Sequence, residues 1–147
     1  MLLGVKEENM GSKTIAVRYL SRGGNTKKLA DAIAQAAGVK AESIPSPLEQ
    51  KTDVLFLGAA VYWGGIDGKM KEYIRSLEPE KVGKVVVLSN SSLTERAYPG
   101  IRKLLDGQGI RTEDDNFYCR GQFRGLYKGR PNADDLKEAA AFAGKYL

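Results

Sequence analysis

The sequence predicts an α/β domain built on a doubly wound five-stranded parallel sheet with helices on both faces, and three observations predict it. Apolar or β-branched runs alternate with segments of helical period along the chain, an order that demands crossover connections and a parallel sheet. Two runs, residues 53–61 and 82–88, are almost unbroken apolar, as expected of strands covered on both faces. The first run, residues 14–20, passes through Ser21-Arg22-Gly23-Gly24-Asn25-Thr26 straight into a helical pattern.

Residues 1–13 lack periodicity and are expected to form a loose tail ahead of one domain over residues 14–147. Met10-Gly11-Ser12 marks either the natural start or a junction behind an extension. The opening strand should feed a helix over about residues 26–37, its apolar face set by Leu29, Ile33, Ala34 and Ala37. Gly38 is a natural stop, because a helix end favours a residue that tolerates positive φ. Ala41-Glu42-Ser43-Ile44 has poor strand propensity yet holds the position of an edge strand, and Pro45-Ser46-Pro47 ends it. Residues 48–51 are too few for a normal crossover helix, so a turn or one short helix is expected.

After the central strand comes a loop at residues 62–68, then a helix through Met70, Tyr73, Ile74 and Leu77. Residues 82–88 form the next strand, running out into a polar loop, Ser89-Asn90-Ser91-Ser92. Residues 94–105 are helix-like, with Pro99 suited to the first turn. Residues 117–123 alternate as a last strand. A terminal helix follows Pro131-Asn132, its early Asp134 and Asp135 complementing the helix dipole and Leu136, Ala139, Ala140, Ala143 and Tyr146 forming its buried stripe.

A chain of 147 residues can bury a proper core as a single domain. The complete lack of histidine excludes Ser-His and Cys-His nucleophile pairs and every histidine metal set. One cysteine cannot form an internal disulfide, which suits a reducing compartment, and no apolar run is long enough for a membrane span or a secretory signal core. A cytoplasmic protein that binds neither membrane nor nucleic acid is expected. Net charge is +5, a modest basic bias compatible with an anionic ligand or partner. No Gly-x-Gly-x-x-Gly follows a strand, and the stretch ending Gly68-Lys69 lacks the Walker spacing and hydroxyl. A phosphatase would place its cysteine on the first loop, and a response regulator would need carboxylates where this chain has Leu20 and Ser21.

A loop that enters a helix aims unpaired N–H groups and the positive end of the dipole at one point, which suits a phosphate. Ser21, Arg22, Gly23, Gly24, Asn25 and Thr26 compose such a loop: hydroxyls, an amide, a guanidinium and two glycines that admit close approach. The bland alternative is a turn and a helix cap. In these residues the chain resembles the flavodoxins, in the short form, whose phosphate loop for flavin mononucleotide (FMN) has roughly the pattern Ser/Thr-x-Thr-Gly-Asn-Thr. Ser21, Gly24, Asn25 and Thr26 match it, whereas Gly23 stands where the family usually carries a hydroxyl. The resemblance covers about residues 14–147 and implies strand order 2-1-3-4-5, with FMN at the carboxyl edge of the sheet.

Two further loops at that edge complete the expected site. Ala59, Ala60, Val61, Tyr62, Trp63 and Gly64 would line the isoalloxazine, with small residues for backbone approach and Tyr62 or Trp63 stacked on a ring face; packing of both aromatics on a neighbouring helix is the alternative. Gly64 and Gly65 permit a backbone flip that offers a carbonyl to a protonated flavin N5, a role carried from the family. Ser89, Asn90 and Ser91 would hydrogen-bond the polar ring edge and the ribityl chain.

Arg120, Arg124, Lys128 and Arg130 form an acid-free basic segment beside Phe123 and Tyr127, which is either a rim for an anionic redox partner or the phosphates of NADPH, or ordinary surface. Cys119 lies in a strand with no visible base and is expected to be a buried structural thiol. The reading is an FMN-binding electron carrier serving a redox partner protein. Its alternatives are an NAD(P)H-dependent FMN quinone reductase and a flavodoxin-shaped module that has lost its flavin.

Overall fold

The computed structural model describes residues 13–60, 65–91, 97–122 and 127–147. The strands are β1 (Ile15–Tyr19), β2 (Ala41–Ser43), β3 (Thr52–Ala60), β4 (Val82–Ser91) and β5 (Phe117–Arg120). The helices among the described residues are α1 (Asn25–Ala37), α2 (Gly68–Ser76), α3 (Tyr98–Gly107) and α4 (Ala133–Ala143). The strands form one sheet of order β2-β1-β3-β4-β5, every pairing parallel. The tail expected over residues 1–13 falls, except for Lys13, outside the described residues.

Period-two alternation in the two long strands divides the core. Val54, Phe56, Val86 and Leu88 face α1 and α4, meeting Leu29, Ile33, Ala139 and Phe142. Leu55, Leu57, Val85 and Val87 face the other side with Met70, Ile74, Ile101 and Leu105 of α2 and α3. Both strands are therefore apolar at successive positions over residues 54–57 and 85–88, and each large side chain so buried contributes about 1.5–3 kcal/mol. No helix of the described residues is long and apolar enough to cross a membrane.

The helix boundaries follow local chemistry. α1 ends at Gly38 with φ 72, the expected left-handed stop. α2 starts at Asp67, whose carboxylate accepts the Lys69 N–H. α4 opens on a capping box in which Asn132 and Asp135 exchange side-chain and backbone hydrogen bonds. Pro99 sits in the first turn of α3. The buried stripe of α4 differs in part from expectation: Asp135 and Phe142 join Ala139 and Ala143, Tyr146 follows in a 3-10 turn, and Leu136 and Ala140 are half-buried.

Two strands depart from the sequence expectation, while the crossover from β2 to β3, expected as a turn or one short helix, runs through residues 44–51 as irregular backbone without a helix. Arg18, buried in β1, compensates by donating from Nε to the Ser46 carbonyl at 3.1 Å and from Nη2 to the Pro47 carbonyl at 2.9 Å. β4 continues through Ser89, Asn90 and Ser91, expected as a loop, because Ala59 and Ala60 on one side and Tyr118, Cys119 and Arg120 on the other still offer ladder partners. β5 stops at Arg120, earlier than expected, since the chain turns at Gly121 and the Gln122 N–H goes instead to the Arg130 carbonyl at 2.9 Å.

Candidate functional site

Strand order reverses between β1 and β3, which opens a crevice outside the carboxyl ends of the strands. α1 begins there. Its first residue follows Gly24 at φ 95, no side chain caps it, and no carboxylate lies in its first turn. The first N–H groups of a helix have no acceptor within it, so this end keeps its donors and its positive dipole for something else. Ser21 Oγ accepts from the Gly24 N–H at 3.0 Å, which folds the loop back on itself and leaves the Ser21 hydroxyl proton for a ligand. A side chain at Gly23 or Gly24 would find no atom of the described residues within 4 Å of its Cβ.

The other polar side chains of the loop are held by the protein. Thr26 is buried, and its hydroxyl donates to Asn90 Oδ1 at 2.5 Å. Asn25 donates from Nδ2 to the Gln122 carbonyl at 2.9 Å. Arg22 Nη2 pairs with Asp67 Oδ2 at 2.5 Å, tying the first loop to the cap of α2. The Arg22 hydrogen bond, aided by the Lys69 N–H, holds the Asp67 carboxyl below its ordinary pKa.

The second predicted segment is only partly visible. Ala59 and Ala60 close β3 beside Ser89 and Asn90 and are buried. Val61, Tyr62, Trp63 and Gly64 lie outside the described residues, so neither the aromatic contact nor the Gly64 flip is located. Gly65 has φ 92, a conformation that glycine adopts at little cost. In the third segment Ser89, Asn90 and Ser91 are strand residues, all buried. Ser89 Oγ finds no hydrogen-bond partner among the described residues, an orphan at the edge where a polar ligand would lie. An uncapped helix start with a free hydroxyl nearby, and a buried hydroxyl awaiting a partner, fit a phosphorylated polar ligand such as FMN.

The basic segment is less exposed in charge than its composition implies. Arg130 forms a two-pronged ion pair with the buried Asp135, at 2.5 and 2.8 Å. Arg120 stacks on Tyr127 at 4.7 Å and approaches Tyr118 at 6.0 Å from the ring centres. Lys128 is exposed, and Arg124 and Phe123 lie outside the described residues. Cys119 is buried, and burial, helped by the Asp135 charge, pushes its thiol up to about 12. Such a thiol is a packing group rather than a nucleophile.

Glycines contribute where sequence reasoning did not look. A Cβ at Gly58 would come within 3.1 Å of Thr26 Cγ2 and of Leu88 Cδ1. One at Gly121 would collide with Asn90 Nδ2 and lie 2.9 Å from Asn25 Nδ2. The available signal was a glycine inside an otherwise regular strand pattern, a common mark of close approach.

A family profile described as flavodoxin domain matches residues 16–125. No curated protein sequence matches the chain. Among solved structures it is similar to a flavodoxin from the domain Archaea, with TM-score 0.71 and 17% identity over 88% of this chain and 93% of that one. It is likewise similar to flavodoxin 2 from Bacillus cereus, with TM-score 0.65 and 16% identity over 88% and 94% of the two chains. A protein titled NADH:FMN oxidoreductase (EMOB) matches with TM-score 0.64 and 18% identity over 92% and 90%.

Proposed function

Because the chain belongs to the flavodoxin family, we propose that it holds FMN at the carboxyl edge of its sheet and acts as an electron carrier between redox proteins. The observation that carries this reading is the uncapped start of α1 at Gly24, beside the Ser21 hydroxyl. Ser21, Gly23, Gly24 and the first-turn N–H groups of α1 would hold the phosphate, with Arg22, Asn25 and Thr26 fixing the loop. Ala59, Ala60, Val61, Tyr62, Trp63 and Gly64 would line the ring, Ser89 and Ser91 would close the polar side, and Asn90 would brace the phosphate loop through Thr26. FMN supplies the chemistry, accepting and releasing electrons; the protein orients it and excludes water. The absence of histidine and the buried, unreactive Cys119 support a carrier that does no acid–base or thiol work of its own.

Net charge of +5 favours an acidic face on the redox partner. The cytoplasm suits a chain with one free cysteine. A second reading, reduction of the flavin by NAD(P)H for transfer to a quinone, draws on the likeness to the protein titled NADH:FMN oxidoreductase. Mixing the FMN-loaded chain anaerobically with NADPH or NADH separates the two. A carrier leaves the flavin absorbance unchanged over minutes and responds to a reduced partner protein, whereas rapid bleaching by either nucleotide alone makes the chain an oxidoreductase.

A further inference from the structure

We infer that Asn90 is a positioning residue for the phosphate loop, acting through Thr26 and not by contact with the flavin ring. The inference rests on FMN as the ligand. Thr26 stands in the first turn of α1 with a buried side chain, and its hydroxyl spends its one proton on Asn90 Oδ1 at 2.5 Å. In this structure that proton is therefore directed at Asn90. What Thr26 contributes is its place: with Asn90 behind it, the N–H groups of the first turn stay aimed at the crevice.

Asn90 is itself closely enclosed. Its Oδ1 accepts from Thr26, its Nδ2 fills the space left by the missing side chain of Gly121, and it is 4% exposed. Its neighbours along that face of β4 are Val86 and Leu88, which pack under α1. Asn25 joins the same knot, its Nδ2 also against Gly121 and donating to the Gln122 carbonyl. Gly58 completes the seat: a Cβ there would crowd the Thr26 methyl at 3.1 Å. The start of α1 is thus pinned from β3, β4 and the segment at residues 121–122 after β5, and Asn90 is the central pin.

Riboflavin, which has the same ring and ribityl chain without the phosphate, makes the test specific. Dissociation constants for FMN and riboflavin are measured on wild type, Asn90→Ala, Thr26→Val and the double variant by flavin fluorescence. Asn90→Ala should weaken FMN by about three- to tenfold, the range of one buried hydrogen bond, with riboflavin unchanged. Thr26→Val should do the same, and the double variant should lose no more than either single one. Gly121→Ala, which forces the two amides apart while leaving every hydrogen-bonding group in place, should show the same loss confined to FMN. Riboflavin falling in step with FMN in Asn90→Ala, additive losses in the double variant, or unaltered FMN binding in all variants would each overturn the inference. Wild type that binds no FMN at all overturns the FMN reading itself, an outcome distinct from these.

Discussion

Gly23→Thr should tighten FMN binding, because it restores a donor at a position built to accept one. The backbone of Gly23 is not in the left-handed range, and no atom of the described residues lies within 4 Å of where its Cβ would stand, so threonine introduces neither strain nor collision with them. A hydroxyl bonded to a charged phosphate is worth about 1.5–3 kcal/mol. Ordering the side chain and stripping its water take back roughly 1 kcal/mol of that. The net gain of about 1 kcal/mol corresponds to a Kd about fivefold lower. Gly24→Ala makes the opposite case: at φ 95 any Cβ is strained by roughly 1–2 kcal/mol, so FMN affinity and stability should both fall. Fluorescence titration of both variants with FMN, and with riboflavin as a control without phosphate, checks the pair. Unchanged or weaker FMN binding by a stably folded Gly23→Thr protein, or an equal gain for riboflavin, would refute a phosphate at this loop.

Other consequences follow from buried polar groups. Arg18→Met should lower unfolding free energy by about 2–4 kcal/mol in urea titration, since the Ser46 and Pro47 carbonyls lose their donors; a loss under ~0.5 kcal/mol would mean that water satisfies them equally well. Asp135→Asn should cost about 2 kcal/mol at neutral pH by breaking the Arg130 pair and weakening the capping box. Arg130 holds the folded Asp135 carboxyl below its ordinary value of 3.8, so this stability is present above that value and lost as pH falls through the folded one. The gap between wild type and Asp135→Asn should therefore close in acid, and a pH-independent gap would count against the ion pair. Cys119 should react with iodoacetamide at pH 8 more than about tenfold slower in the native protein than in urea; equal rates would show that the thiol is accessible.

The parallel architecture was legible because the signals were long and physical. Strands buried on both faces must be apolar at successive positions, and residues 54–57 and 85–88 are. The loop between β1 and α1 was legible because glycine and small polar residues separate an apolar run from a helical pattern. Strand ends were not, since Ser89, Asn90 and Ser91 look like loop residues until partners on β3 and β5 are known. Phe142 escaped the predicted stripe of α4 because its neighbours Phe117 and Tyr146 are distant in sequence or in another turn. Arg18, a buried cation in β1, could not be foreseen at all, because its acceptors are carbonyls of a crossover that carries no helix. The partners of Thr26 and Asn25 were hidden for the same reason: the 64- and 97-residue separations to Asn90 and Gln122 are set by topology.

Titration of the purified chain with FMN, followed by flavin fluorescence and by emission from Trp63, the single tryptophan, tests the central claim most directly. Saturable one-to-one binding with quenching of the flavin, and riboflavin bound more weakly for want of a phosphate, is the predicted result. No binding at FMN concentrations of about tens of micromolar, a free energy weaker than roughly −6 kcal/mol, would contradict it and leave a flavodoxin fold without its flavin.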